Sequence, residues 1–308
     1  VLVELFKKAL KACNSKAMVY TTDMNPALAP AGIISDKCFK VPRVTVPEYV
    51  DTLLSICIDN HIGMVIPTID TELFILSKNK DKFSDRNISI IVSDISFIQL
   101  CRDKRNTGAF LQKMGIRVPR PIDKLHPVFP LFAKPYDGSL FVVKSPDELT
   151  PEIMHHPKLI FMEYIDKTEY KEFTVDMYYG QDHYVKSIVP RERLEIRAGE
   201  INKGYTRKNF LVTYLRERMN YLPGVIGCIC IQLFYREIDN DVVGIEINPR
   251  FGGGYPLSYY AKADYPQYLI QEYFLNKEIR YSDKWLDNTL MLRYDSEVIV
   301  YEQENSRI

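Results

Sequence analysis

The chain has 308 residues, 46% of them apolar, 12% aromatic and 26% charged. That composition supports a buried core and excludes a disordered chain, a collagen-like fibre and a small disulfide scaffold. Lys plus Arg total 40 and Asp plus Glu total 40, so the net charge favours neither nucleic acid nor an anionic membrane as a partner.

At about 150 residues per domain, the length suggests two globular units or one large composite. No run approaches the roughly 18 apolar residues of a membrane helix. The opening segment places Leu2, Leu5, Phe6, Ala9 and Leu10 at helical spacing, with Glu4, Lys7, Lys8 and Lys11 between them. It reads as an amphipathic helix and not as a signal peptide. A strand is expected over 17–21, a helix over 49–60 with Val50, Leu53, Leu54 and Cys57 on one face, and short strands over 63–67 and 88–92. Alternating helix and strand implies a small parallel sheet with helices on its faces. The first element is a helix, which leads us to expect a strand ahead of it in the full protein.

Residues 94–118 read as helix, break, helix, closed by Gly115 and kept closed by Pro119 and Pro121. A strand over 128–134 leads to a turn at Tyr136-Asp137-Gly138-Ser139 and a second strand over 140–144. Ser145-Pro146-Asp147-Glu148 resembles a helix start. An apolar strand over 159–165 follows. Residues 172–250 are mostly strand-like, with a helix near 208–221. Helix returns over 256–275, and the tail over 290–301 is strand-like. The six cysteines form no CxxC pair and five sit among apolar neighbours, which points to reduced, mostly buried thiols in the cytoplasm. The five histidines show no HExxH spacing, and neither a P-loop nor GxGxxG occurs.

The most informative stretch is 225–254. Two strand-like runs, 225–235 and 242–248, flank the turn Glu237-Ile238-Asp239-Asn240-Asp241. A hairpin centred on Asp239 sets Gln232 opposite Glu246 and Cys230 opposite Asn248. Because side chains alternate across a sheet, one face then carries Ile229, Ile231, Leu233, Tyr235, Val243, Ile245 and Ile247, and the other carries Gln232, Glu246 and Asn248 together. Three oxygen-bearing side chains on one patch suit a hard divalent cation such as Mg²⁺. Arg250 and Gly252-Gly253-Gly254 follow at once, and Arg can hold phosphate in a bidentate fork while glycines admit close backbone approach. The plain alternative is a solvated sheet face followed by a glycine loop. The charged run from Pro190 to Gly204, with Arg191 and Arg193, reads either as an exposed loop or as a pocket for an anionic substrate.

Together these pieces resemble the ATP-grasp superfamily, close to the carbamoyl-phosphate synthase large chain and its single-unit ligase relatives. The resemblance covers nearly the whole chain. It is carried above all by Gln232 followed fourteen residues later by Glu246-Ile247-Asn248-Pro249-Arg250. It implies a mixed α/β and α+β fold: an N-terminal Rossmann-like lobe (1–98), a helical linker with the first ATP-grasp lobe (99–165), and a second ATP-grasp lobe with the metal site and C-terminal tail (166–308). It implies that Gln232, Glu246 and Asn248 hold one or two Mg²⁺ ions, with Mn²⁺ as a substitute, and that Lys104, Lys134 and Arg250 contact phosphate. Glu163-Tyr164-Ile165 resembles the hinge whose backbone meets adenine. Glu172 resembles the ribose-binding acid, although the stretch before it is long enough to leave Glu169 as a competitor. Arg250, Lys134, Arg191 and Arg193 are the expected catalytic cations.

The implied chemistry is ATP-dependent activation of a small carboxylate as an acyl phosphate, which an amine then attacks. The protein's share is positioning and charge neutralisation. The alternatives are a carbamoyl-phosphate-synthase-like subunit acting on bicarbonate and a non-catalytic ATP-binding regulatory subunit. A homodimer through the N-terminal lobe is what such relatives imply, with no nucleic-acid or membrane partner. One departure stands out. Gly138-Ser139 runs straight into Leu140-Phe141, where the family has a longer glycine-rich loop over the phosphates, so a longer loop is expected in the full protein.

Overall fold

The computed structural model describes residues 1–13, 16–135, 141–157, 159–197 and 199–301, without the side chains of residues 134 and 135. The expected turn at 136–139 lies outside the described residues.

In the first hundred residues the expected alternation is present. Helix Leu2–Cys13 buries Leu5, Phe6 and Ala9. Strand β1 (Tyr20–Asp23) pairs in parallel with β2 (Lys37–Lys40), and β3 (Met64–Val65) pairs in parallel with β4 (Ser89–Ile90). The strands are shorter than the sequence implies, and β1 starts three residues late. With lysine at both ends of its four residues, β2 has no apolar run to mark it. Among the described residues no strand joins the two pairs into one sheet. Val50, Leu53 and Cys57 of helix Glu48–Asp59 pack with Leu73 and Leu76 of helix Asp70–Lys78 to form the core.

Helices Ile95–Arg102 and Lys104–Lys113 follow. The break between them is Asp103, whose carboxylate accepts a hydrogen bond from the Arg105 N–H at 2.9 Å and so caps the second helix. Gly115 ends it with φ +72°, the left-handed region where glycine carries no steric cost. Strands β5 (Pro121–Ile122), β6 (Leu131–Pro135), β7 (Phe141–Val143) and β8 (Leu159–Glu163) form an antiparallel sheet ordered β5-β8-β6-β7. Its core is Leu131, Ala133, Val143, Leu159 and Phe161. The helix start expected at Ser145 is only a 3₁₀ turn, Pro146–Glu148. The α-helix begins at Pro151, where the Thr150 hydroxyl accepts from the Ile153 N–H at 3.3 Å.

The remaining strands are β9 (Lys171–Tyr179), β10 (Val185–Arg197), β11 (Glu200–Thr206), β12 (Gly227–Arg236), β13 (Asp241–Asn248) and β14 (Leu290–Leu292). They form one antiparallel sheet ordered β13-β12-β9-β10-β11-β14. Of the expected tail strand over 290–301, only Leu290–Leu292 pairs. Helices Phe210–Met219 and Tyr265–Tyr273 cover one face, burying Leu211, Leu215 and Leu269 against Val175, Met177 and Ile229. The opposite face carries the polar residues singled out above.

Candidate active site

The hairpin of β12 and β13 has the expected register only at its open end. Cys230 faces Asn248, Ile231 faces Ile247 and Gln232 faces Glu246. A bulge then opens at Ile245, and Leu233 faces Gly244, Phe234 faces Val243 and Tyr235 faces Val242. One extra residue reverses which side chains point where. Val242, not Val243, joins the main core. Val243 and Ile245 turn to the site face, where they pack with Phe234, Ile165 and Tyr170. The expectation of a single apolar face holding Val243 and Ile245 is therefore corrected. The cause lies beside the bulge. A Cβ on Gly244 would sit 2.9 Å from Leu111 and 3.1 Å from Ile116, so only glycine lets helix Lys104–Lys113 and its following turn lie against the sheet edge. The Gly244 N–H donates to the Arg117 carbonyl at 2.7 Å.

That docking brings Lys104 to the metal candidates. Its Nζ lies 3.2 Å from Glu246 Oε2. The Asn248 Nδ2 donates to Glu246 Oε1 at 3.1 Å. The Gln232 Nε2 donates to Glu172 Oε1 at 2.6 Å, and the Arg193 Nη1 donates to the same oxygen at 2.6 Å. Lys167 reaches Glu172 Oε2 at 3.2 Å. Gln232, Glu246, Asn248, Glu172, Arg193 and Lys104 thus form one polar patch. A pocket of about 300 Å³ beside it is lined by Lys104, Glu246, Asn248 and Asp70. Glu169 points elsewhere, to Arg236 at 2.8 Å, so the patch contains Glu172 and not its competitor.

Arg250 leaves the patch for the N-terminal half. Its Nε and Nη2 donate to the two Asp70 oxygens at 2.8 and 2.7 Å. Those hydrogen bonds hold its guanidinium charged, above its ordinary range, against the opposing effect of burial. Asp70 lines both the 300 Å³ pocket and a larger cleft of about 2320 Å³. The pair therefore stands on the wall between them.

Arg191 is not a surface cation. Its side chain is 1% exposed and its Nε and Nη2 donate to Asp176, itself fully buried, at 2.7 and 2.8 Å. Asp176 also accepts from Ser258 Oγ at 2.5 Å and Cys230 Sγ at 3.1 Å. Burial alone would push the Arg191 pKa down, but the Asp176 charge outweighs it and the pKa ends above its ordinary value. The expectation of Arg191 as a catalytic cation is corrected: its side chain is buried and its Nε and Nη2 are taken by Asp176. Gly252 and Gly254 lie over this pair, and a Cβ on Gly254 would overlap the Arg191 Nη1. The glycines thus let the loop sit on a buried ion pair. Arg193 is also well covered, its side chain 6% exposed and its Nε without a hydrogen-bond partner.

At the expected hinge, the Glu163 carboxylate is bound by Arg117 and by Arg120 Nε at 3.3 Å, and its N–H donates to the Arg120 carbonyl at 2.8 Å. Tyr164 is half-buried, and Ile165 is buried against Phe234. The Lys134 backbone lies in β6 opposite Ile160, but its side chain lies outside the described residues.

Two contributors were not apparent in the sequence. Asp70 meets Arg250 across 180 residues, and nothing local marks it. Asp176 did leave a signal: a lone acid among Phe173, Val175, Met177, Tyr178 and Tyr179, where a buried carboxylate requires a cationic partner.

The donor set suits a hard cation. The Gln232 and Asn248 amides give their N–H groups to Glu172 and Glu246, so the amide oxygens are the atoms each could offer a metal beside Glu246. The cluster of Asp176, Cys228 and Cys230 does not suit a metal, because Arg191 already takes both Asp176 oxygens.

A family model described as the PylC-like N-terminal domain matches residues 1–91, and one described as the ATP-grasp in the biosynthetic pathway with Ter operon matches residues 155–291. No curated protein matches the chain. Among solved structures, the biotin carboxylase domain of Hydrogenobacter thermophilus 2-oxoglutarate carboxylase superposes with a TM-score of 0.66 at 13% identity, over 94% of this chain and 70% of that one. The L-amino acid ligase of Bacillus licheniformis gives 0.61 at 16% identity, over 87% and 70%. The N5-carboxyaminoimidazole synthetase of Staphylococcus aureus gives 0.62 at 13% identity, over 87% and 73%. The fold is therefore that of the ATP-grasp superfamily, as the sequence resemblance implied.

Proposed function

We propose that this ATP-grasp chain is an ATP- and Mg²⁺-dependent ligase that activates a small-molecule carboxylate as an acyl phosphate for attack by an amine. The observation that carries the reading is the convergence of Gln232, Glu246, Asn248, Glu172, Arg193 and Lys104 on one sheet face beside a 300 Å³ pocket. Bound there, Mg²⁺ supplies charge neutralisation for the ATP phosphates.

The roles proposed for the chain's residues rest on their positions together with the family resemblance. Gln232, Glu246 and Asn248 hold the metal through oxygen. Lys104, 3.2 Å from Glu246, would be free to contact phosphate if a cation were held by that carboxylate. Lys134, next to last in β6, is assigned a second phosphate contact. The hinge from Glu163 to Ile165 takes adenine along its backbone, with Ile165, Phe234 and Ile245 as apolar surface and Glu172 on the ribose. Arg193 holds Glu172 in position, and Arg250 faces the transferred phosphoryl and the acid. Each act is one of placement and charge stabilisation.

The test is release of ADP and phosphate across a panel of carboxylates and amines with Mg²⁺. Turnover that depends on one acid and one amine, and that disappears in Glu246→Ala, is the expected result. A flat panel with intact Mg·ATP binding overturns the reading in favour of a regulatory subunit. Bicarbonate belongs in the panel, because the H. thermophilus biotin carboxylase domain was solved with MgADP and bicarbonate. The six cysteines are free thiols, and no described helix is long and apolar enough to cross a membrane. Both facts support a cytoplasmic setting.

A further inference from the structure

Resting on the ligase reading, we propose that the carboxylate substrate is an α-amino acid, with Glu200 as the group that recognises its ammonium. The cleft of about 2320 Å³ runs from the N-terminal half to the glycine loop, and its polar end brings Arg250, Gly252, Gly253, Glu200 and Arg293 together. Glu200, the first residue of β11, is exposed and makes no ion pair with any described residue. Its carboxylate lies directly against the loop: a Cβ on Gly253 would sit 2.7 Å from Glu200 Cδ. Arg293 reaches the same glycine and donates to its carbonyl at 2.5 Å, so that guanidinium already holds the loop.

The other half of the recognition is Arg250. It stands two residues before Gly252 and lines the same cleft as Glu200. A carboxylate entering from the cleft replaces Asp70 on the guanidinium, in the same bidentate geometry. That places the acid at the wall shared with the metal pocket, where the phosphoryl group would arrive. An acid with no ion pair among the described residues and a bidentate cation, both lining the cleft beside the glycine loop, match the paired charges of a zwitterion. A simple carboxylic acid would leave Glu200 facing an apolar group, and like charges would repel a diacid.

The full chain, loaded with Mg²⁺ and a non-hydrolysable ATP analogue, is titrated calorimetrically with L-amino acids and with the same carbon skeletons lacking the amino group. At least one amino acid is expected to bind, with its des-amino counterpart weaker by about tenfold or more. Glu200→Gln is expected to abolish that difference while leaving affinity for the Mg·nucleotide unchanged. Equal binding of the two acids, or a preference that survives Glu200→Gln, overturns the amino-acid proposal and leaves the ligase reading standing. Binding of the nucleotide with no acid of either kind overturns both.

Discussion

Replacing Asp176 with Asn should destabilise the protein more than any change to the polar patch. The substitution keeps shape and removes charge. Arg191, 1% exposed, is then a buried guanidinium with no counter-charge. Ser258 and Cys230 lose a charged acceptor at the same time. Breaking a buried ion pair by removing one partner costs about 3–5 kcal/mol. At roughly 2 °C per kcal/mol for a large domain, that is a fall in Tm of about 6–10 °C. Thermal and urea unfolding of the wild type and variant measure it directly. A companion variant strengthens the argument. Arg191→Met with Asp176→Leu removes both charges, so it should cost less than the sum of the two single changes by about 2 kcal/mol or more. A cost below about 1 kcal/mol for Asp176→Asn would show that Arg191 finds water or another partner, and would refute the reasoning from burial.

The glycine loop offers a matched contrast. Gly254→Ala meets the pinned Arg191 guanidinium and should cost about 1–3 kcal/mol in unfolding free energy. Gly253→Ala meets only the exposed Glu200 side chain, which can turn aside, so the same measurement should change by no more than about 0.5 kcal/mol. Glu246→Gln should lower ATP turnover by about a hundredfold through loss of the anionic metal ligand, with Tm nearly unchanged because Glu246 is partly exposed; a parallel loss of Tm would make its role structural. Thiol labelling at pH 8 should modify exposed Cys13 first. Burial pushes the Cys57 thiol up to about 11 and Cys101 up to about 12, so about 10⁻⁴ of Cys101 is thiolate at that pH. Rapid loss of the Cys101 thiol in the folded protein would contradict this placement.

How far the sequence carried the reading depended on whether the signal was local. The pairing of Gln232 with Glu246 follows from strand alternation and a turn, both local, and the structure has it. The bulge at Ile245 does not follow, because its cause is the helix docked against Gly244, a residue pattern more than a hundred positions away. The same limit hid Asp70, whose partner lies on another lobe. Arg191 illustrates a different failure. It sits in the charged run Arg191-Glu192-Arg193, which reads as exposed, yet strand alternation along β10 sends Arg191 inward to Asp176. Reading β9 and β10 as paired strands would have set that lone buried acid near a cation.

Burial separates the charges that hold the fold from those free to change partner. Three of the charged residues assigned to metal, nucleotide or substrate already have a counter-ion within the chain: Glu246 has Lys104, Glu172 has Arg193 and Lys167, and Arg250 has Asp70. A ligand therefore exchanges ion pairs and does not simply add them. Exchange is easy only where the existing pair is weak. The Lys104 side chain is 59% exposed, and a pair in that setting is worth about 0–1 kcal/mol. Asp70 is 53% exposed, so a substrate carboxylate can displace it at a similar cost. The Asp176–Arg191 pair lies at the opposite limit, where opening leaves charge stranded in the core. Arg191 and Arg250 stand under and beside the same glycine loop, and the sequence resemblance offers both as catalytic cations. The difference in solvent access separates them: Arg191 lies buried under the loop, and Arg250, bound to a half-exposed partner, is the one proposed to face the substrate.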